Sequence, residues 1–307
     1  MKAIFRKELV DYFSSLRLSI LFVLVFLTSA AGLYSAYQGI RGAVTPEGFV
    51  FLKLFTTQGE ILPSLTTFVT LFVPIIGIAL GFDAINREYS GGTISRILSQ
   101  PVFRDSVING KFLAGLVTLS IMMLVTVLLV SGFGLTMIGV PPTPEEIIRL
   151  FIYLFFIIVY GAFWLGLATL FSVLFRRIAT SLLCSIALWL LFSFFIMLIA
   201  PAIANALAPT ANGTPEAVIH NYELQQIVLR FSPNFLFSEV TTVLLLPVVR
   251  SLGLVTLGQV AYMLPNPLSL GQSLLLVWPH LASLLSLTIV CFAISYIVFM
   301  RQEIRAT

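Results

Sequence analysis

Charged side chains are scarce in this 307-residue chain: only 10% of the residues are Asp, Glu, Lys or Arg, while 59% are hydrophobic. A soluble domain carries about a quarter charged residues, so this deficit excludes an ordinary soluble protein. The mean hydropathy of +1.05 agrees. Because the apolar runs are continuous rather than alternating, the sequence predicts an all-α, polytopic membrane protein and not a β-barrel.

Residues that bind metals or carry out catalysis are also few. The chain has 2 histidines and 2 cysteines, namely His220, His280, Cys184 and Cys291. Both cysteines lie in apolar runs and are expected to be buried small hydrophobic residues. His280, near the outer start of the last apolar run, is expected to be an interfacial side chain rather than a metal ligand. No HExxH, GxSxG or Walker A motif is present, so we expect no catalytic residue, no metal, no cofactor and no enzyme.

Six segments are long enough to cross about 30 Å of hydrocarbon, which takes about 20 residues. They are residues 18–37, 62–82, 112–138, 150–175, 179–200 and 274–300. None contains Asp, Glu, Lys or Arg, although ion-coupled transporters and intramembrane enzymes usually need ionisable groups at this depth. An intramembrane enzyme is therefore disfavoured, and the energy for any transport must come from outside the chain.

Small residues predict close packing between some of these spans. Gly77 and Gly81 are four residues apart, as are Ala162 and Gly166. Such pairs let helix backbones approach closely, either across a dimer or, as we favour, within one subunit. Pro74 is expected to kink the second span.

The regions outside the spans are predicted to include helices at the membrane surface. Residues 1–17 form an amphipathic interfacial helix in this interpretation. Its apolar face carries Phe5, Leu9, Tyr12, Phe13 and Leu16, and its polar face carries Lys2, Arg6, Lys7, Asp11 and Ser14. Residues 201–272 contain apolar stretches that are too short to span, so we expect extracytoplasmic re-entrant or interfacial helices before the last span.

Basic residues set the expected orientation. With the N-terminus in the cytoplasm, that side holds twelve of the 17 basic residues: Lys2, Arg6, Lys7, Arg17, Arg87, Arg96, Arg104, Lys111, Arg176, Arg177, Arg301 and Arg305. The other side holds five: Arg41, Lys53, Arg149, Arg230 and Arg250. This asymmetry predicts that both termini and residues 83–111 are cytoplasmic.

Residues 83–111, DAINREYSGGTISRILSQPVFRDSVINGK, form a long polar segment between two apolar runs. Its middle predicts a short helix with Ile94, Ile97 and Leu98 on one face. Gly91 and Gly92 before the helix permit a turn with positive φ, and Pro101 ends it. Such a helix could be pressed by a cytoplasmic partner, whereas the alternative is an ordinary solvated loop.

The same segment resembles the pattern E-x3-G-T-[LI]-x3-L-S-x-P-[VI]-x-R-x5-G-K of ABC-2 type transporter permeases. The matching residues are Glu88, Gly92, Thr93, Ile94, Leu98, Ser99, Pro101, Val102, Arg104, Gly110 and Lys111. The wider layout of interfacial helix, six spans and re-entrant helices is similar too. The long region 201–272 departs from the plainest members.

The resemblance implies a single domain, residues 1–307, that acts as the permease subunit of an ATP-driven ABC exporter in a prokaryotic plasma membrane. Two permeases, identical or paralogous, would sit in membrane lipid on two separate ATP-binding subunits. The helix at residues 94–99 would be the coupling helix. Glu88, Gly92, Thr93, Ile94, Arg96, Ile97, Leu98, Pro101 and Arg104 would form the contact with the ATPase. The alternative is a membrane scaffold or assembly protein without transport. The cargo cannot be read from the sequence.

Overall fold

The computed structural model describes residues 1–42, 49–59, 62–92, 103–210, 214–249, 252 and 267–302. Its first half contains α1 (Lys2–Phe13), α2 (Leu16–Gly42), α3 (Val50–Thr56), α4 (Leu65–Gly81), α5 (Asn86–Ser90) and α6 (Arg104–Ile138). Its second half contains α7 (Pro144–Leu174), α8 (Ile178–Leu190), a π-helical turn (Leu191–Phe195), α9 (Ile196–Leu207), α10 (Pro215–Leu229), α11 (Pro233–Leu245) and α12 (Leu270–Arg301). The described residues form no strand, which agrees with the predicted all-α class.

Six of these helical stretches are long and apolar enough to cross a membrane, so the six predicted spans are confirmed. They are α2, α4 with α5, α6, α7, the continuous stretch from α8 to α9, and α12. Most helices extend beyond the predicted spans, because a helix does not stop where the hydrocarbon stops. The α6 helix, for example, begins at Arg104 rather than at residue 112.

The α7 helix is the centre of the bundle. It packs most extensively against α4 and α12, and Trp164 on α7 is fully buried. A Cβ atom added at Gly77 would lie 2.9 Å from the Gly161 carbonyl oxygen, and one at Gly81 would lie 2.8 Å from that of Leu165. The Gly77 and Gly81 pair therefore allows α4 to lie against α7 within one subunit, as predicted. The α4 helix continues through Pro74.

An arginine at the first turns of α7 fixes the helices around it. Arg149 is fully buried, and its guanidinium donates to Glu145 Oε1 at 2.8 Å, to the Leu244 carbonyl at 3.1 Å and to the Leu268 carbonyl at 2.7 Å. Charge-assisted bonds of this kind compensate for the desolvation of the guanidinium. Arg149 therefore joins α7 to the end of α11 and to the chain that enters α12.

The α11 helix, in the region where the sequence predicts re-entrant or interfacial helices, is short and deeply packed. Phe237 stacks on Tyr160 of α7 with ring centroids 4.4 Å apart. The Glu239 carboxylate accepts from Arg230 at 3.0 Å and pairs with His280 Nε2 at 2.8 Å. Burial acts to raise the pKa of Glu239, but hydrogen bonds from His280 and Arg230 outweigh it and hold the pKa below its ordinary value.

His280 is thus buried against α11, and the expectation of an interfacial side chain is wrong. The Glu239 carboxylate on α11, rather than lipid headgroups, provides the polar partner of this imidazole. Among the described residues no group of His, Cys, Asp and Glu side chains is arranged to hold a metal ion. Both cysteines are free and half-buried.

Candidate functional site

A cleft lies between α1 and the chain that follows α4, beside the start of the polar segment 83–111. We call this cleft the charged cleft; its volume is about 560 Å³. Its charged walls consist of Lys7, Glu8, Asp11, Arg17, Asp83, Arg87, Glu88 and Lys111. Four elements contribute, namely α1, the start of α2, the α4–α5 region and α6.

Lys111 is the centre of this cleft. Its side chain is only 5% exposed, and its Nζ atom lies 2.7 Å from Glu8 Oε1 and 3.1 Å from Glu88 Oε1. The exposed Lys7 approaches the same carboxylates, at 3.6 Å from Glu8 and 3.9 Å from Glu88. Burying an ammonium group costs free energy unless carboxylates pair with it. Lys111 therefore joins α6 both to α1 and to α5.

Gly110 explains how α1 comes so close to α6. A Cβ atom at Gly110 would lie 3.1 Å from Ile4 Cγ2 and 3.5 Å from the Phe5 nitrogen. The adjacent Gly110 and Lys111 thus have separate physical roles: the glycine leaves room for the helix, and the lysine binds its carboxylate.

A second ion pair closes the other side of the cleft. Arg17 donates to both carboxylate oxygens of Asp83, at 3.0 and 2.6 Å, and to the Ala79 carbonyl at 2.8 Å. The Tyr12 hydroxyl donates to the Leu80 carbonyl at 2.8 Å, and burial raises the pKa of this phenol well above its usual range. Tyr12 is therefore a neutral hydrogen-bond donor that attaches α1 to the end of α4.

The chain around residues 93–102 is attached to the bundle on both sides. Before it, the Ile85 and Asn86 nitrogens donate to Ser172 Oγ of α7 at 2.8 and 3.1 Å. After it, Arg104 donates to the Gln302 carbonyl at 3.2 Å. The Tyr89 hydroxyl also donates to the Gln302 side chain, at 3.1 Å. The residues that flank this stretch are therefore bonded to α7 and to the end of α12.

The predicted contact residues fall into two groups. Glu88 lies in the charged cleft, Gly92 has a φ of 63° as the turn prediction requires, and Arg104 begins α6. Thr93, Ile94, Arg96, Ile97, Leu98 and Pro101 lie outside the described residues. The contact with an ATPase therefore stays a prediction for all nine positions.

The face that α1 presents to the bundle overlaps the predicted apolar face. Phe5, Leu9 and Tyr12 of that face are half-buried and Phe13 is exposed, while Glu8, which the prediction assigned to neither face, is buried. Periodicity places apolar residues on one face, but it cannot show that Lys111 of α6 stands opposite Glu8. The contacts of Asp83, Arg17 and Ser172 were not predicted from the sequence either, because the partner of each residue lies far away along the chain.

A comparison with models of protein families identifies the family. A model of the family described as "ABC-2 family transporter protein" matches residues 2–304. The chain belongs to the ABC-2 transporter family. It is therefore a multi-pass membrane protein of the ABC transporter class, as the resemblance implied.

Curated relatives of this ABC-2 protein come from two bacteria. A "Probable ABC transporter permease protein NosY" of Pseudomonas aeruginosa is 33% identical over 99 residues, which cover 31% of this chain and 34% of the relative. A protein of the same name from Stutzerimonas stutzeri is 31% identical over 132 residues, 42% of this chain and 41% of the relative. The matched stretches thus span less than half of either relative.

Proposed function

We propose that this chain is the permease subunit of an ATP-driven ABC exporter and that residues 93–102 form its contact with a separate ATP-binding subunit. The observation that carries the proposal is the attachment of both flanks of this segment to the bundle. Glu88 bonds to Lys111 at 3.1 Å on one side, and Arg104 bonds to the Gln302 carbonyl at 3.2 Å on the other. A push on such a segment is transmitted to whole helices rather than absorbed by a loop.

The charged cleft supports a role for α1 in the same contact. Lys7 and Asp11 are both more than half exposed at its rim, so they are available to a cytoplasmic partner. Rim charges of this kind fix register and orientation more than they add affinity. A partner that presses on residues 93–102 would then also contact α1, whose position depends on Lys111.

The proposal includes an assembly and an orientation. Two permeases, identical or paralogous, pair in a prokaryotic plasma membrane with both termini in the cytoplasm. The excess of basic residues on the side of residues 83–111 favours this orientation. The permease names of the two bacterial relatives support transport. Rigid-body motion of the spans follows when the ATPases close on ATP.

An ATPase measurement tests the energy source. The purified chain alone should hydrolyse no ATP, because its sequence has no phosphate-binding Walker A loop. Reconstitution with its ATP-binding subunit should yield ATPase activity that depends on both proteins. Hydrolysis by the chain alone, at a level that survives repurification, would contradict the proposal. Stable complex formation without any transport would favour the scaffold alternative.

A further inference from the structure

A second cleft lies at the opposite end of the bundle from the charged cleft. It is bounded by the start of α4, the π-helical turn and α11, and its volume is about 520 Å³. The second cleft extends along α4 as far as Leu71, and the charged cleft begins at Asp83, a distance of about 18 Å along the chain at 1.5 Å per residue. The volume lies within the range of about 300–1,000 Å³ that is usual for small-molecule sites.

Hydroxyl groups dominate the polar lining of this cleft, which we call the hydroxyl cleft. Half of its 18 lining residues are serine or threonine, and none is charged. Five of the hydroxyls donate to a backbone carbonyl three or four residues earlier, at 2.8–3.3 Å: Thr56, Thr70, Ser238, Thr241 and Thr242. A hydroxyl has one proton to donate and two lone pairs. While these bonds are kept, the five hydroxyls offer a ligand their lone pairs rather than their protons.

The π-helical turn shapes one wall of the cleft. The Phe192 carbonyl of this turn accepts from the Ser232 hydroxyl at 2.8 Å, and Asn234 at the start of α11 donates to Ser193. These two bonds attach the π-helical turn to the start of α11. Turns of this type occur often at functional sites, and this one places Phe192 and Phe194 in the lining together with Phe235.

The composition of the lining selects the chemistry of a ligand. A charged ligand would lose its hydration without meeting a counter-charge, which is costly. A purely apolar ligand would leave the hydroxyl oxygens without water or any other donor. An uncharged ligand with several donors satisfies the oxygens, and an apolar face on that ligand would pack on the three phenylalanine rings.

We propose that the hydroxyl cleft binds an uncharged molecule that has several O–H or N–H donors and one apolar face, and that this is the chemical class of the cargo. The claim that this molecule is the cargo rests on the proposed transport function, whereas the claim that it binds to the cleft does not. A binding assay on the permease alone therefore separates the two proposals. If no ligand binds, the proposal of an ATPase partner is unaffected. If no ATPase assembles with the permease, the proposal of a ligand site in the cleft is unaffected.

Three probes that share a phenyl ring test the ligand class. Phenyl β-glucoside is uncharged, carries four hydroxyl donors and has an apolar ring. Its tetra-O-methyl derivative keeps the shape but has no donor, and phenyltrimethylammonium carries a charge. Saturation-transfer NMR is measured on the permease in lipid nanodiscs, with empty nanodiscs as the reference for partitioning into lipid. We expect saturation of the glucoside only, and equal or stronger saturation of either other probe would overturn the proposal.

Matched variants locate the binding. In Thr70→Val/Thr242→Val two acceptor oxygens are replaced by methyl groups of similar volume, and the glucoside should bind at least about fivefold more weakly, since a hydrogen bond contributes about 1 kcal/mol. The control is Thr126→Val, because the Thr126 hydroxyl also donates to a carbonyl four residues earlier, at 2.8 Å, but lies outside this cleft. Its affinity should equal that of the wild type. No glucoside binding to the wild type, or equal binding by the double variant, refutes the proposal.

Discussion

The Lys111 ammonium lies between two carboxylates from different helices, 2.7 Å from Glu8 Oε1 and 3.1 Å from Glu88 Oε1. The three residues are far apart in the sequence, yet they join α1, α5 and α6 at the edge of residues 93–102. A contact made by a partner on α1 or on residues 93–102 would therefore act on the same ammonium. This triad is the physical basis for treating α1 and the proposed ATPase contact as one unit.

The first prediction concerns this triad. Lys111→Met should destabilise the protein by about 3 kcal/mol, because it leaves Glu8 and Glu88 close together without their buried counter-charge. Thermal unfolding in detergent measures the effect. Lys7→Met is the control, since the Lys7 side chain is 57% exposed and an exposed pair contributes at most about 1 kcal/mol. Equal effects of the two variants would show that Lys111 has no special role.

A second prediction concerns the close approach of α1 to α6. Gly110→Val should displace α1, since a side chain there meets Ile4 and the Phe5 backbone. Trypsin should then cleave after Arg6 or Lys7 at least severalfold faster than in the wild type. Gly132→Val is the matched control on the same helix, because nothing lies within 4 Å of its Cβ position. Unchanged cleavage in Gly110→Val would contradict the packing of α1.

The third prediction concerns the attachment of α11. Glu239→Gln removes the carboxylate that Arg230 and His280 share, so the amides of α11 should exchange with deuterium faster. The loss of a buried charged partner typically costs a few kcal/mol, which corresponds to an acceleration of at least about tenfold if exchange follows local opening. Glu223→Gln on α10 is the control, because Glu223 is exposed. An unchanged exchange rate in Glu239→Gln would show that the pair does not hold α11.

The fourth prediction concerns orientation. In a background with Cys184→Ala and Cys291→Ala, Lys2→Cys should react with a membrane-impermeant thiol reagent only from the cytoplasmic side. Glu216→Cys should react only from the outside. Both positions are exposed, so a lack of reaction would not be caused by burial in the subunit. The reverse pattern would overturn the topology and, with it, the cytoplasmic position of residues 83–111.

The sequence was sufficient for the helices and for the packing of small residues. Six long apolar runs became six spanning helices because the bilayer requires each span to satisfy its own backbone hydrogen bonds. The spacing of Gly77 and Gly81 was also enough to predict close packing. Gly92 has a positive φ, a conformation that the Gly91 and Gly92 pair was expected to permit.

Long-range polar contacts were not predictable from the sequence. Periodicity assigns a residue to a face of its own helix, but Glu8 and Lys111 meet only because α1 folds back on α6. His280 was misjudged for a similar reason, since its partner Glu239 lies on another helix. The hydroxyl cleft was missed because serine and threonine inside apolar helices, such as Thr70, usually bond only to their own backbone.

The most direct test of the central claim is the effect of Leu98→Asp on assembly with the ATP-binding subunit. If the apolar face of residues 94–99 inserts into a groove of that subunit, a charge at Leu98 would be buried without a partner, at a cost of several kcal/mol. The matched control is Ser99→Asp, which adds the same charge on the opposite face of the predicted helix. Both variants should insert into the membrane as the wild type does.

Co-purification through a tag on the permease measures the outcome. We expect Leu98→Asp to lose the ATP-binding subunit, or to retain it without stimulated ATP hydrolysis, whereas Ser99→Asp keeps both. Normal assembly and transport by Leu98→Asp would contradict the account, because residues 94–99 would then be an ordinary solvated part of the chain.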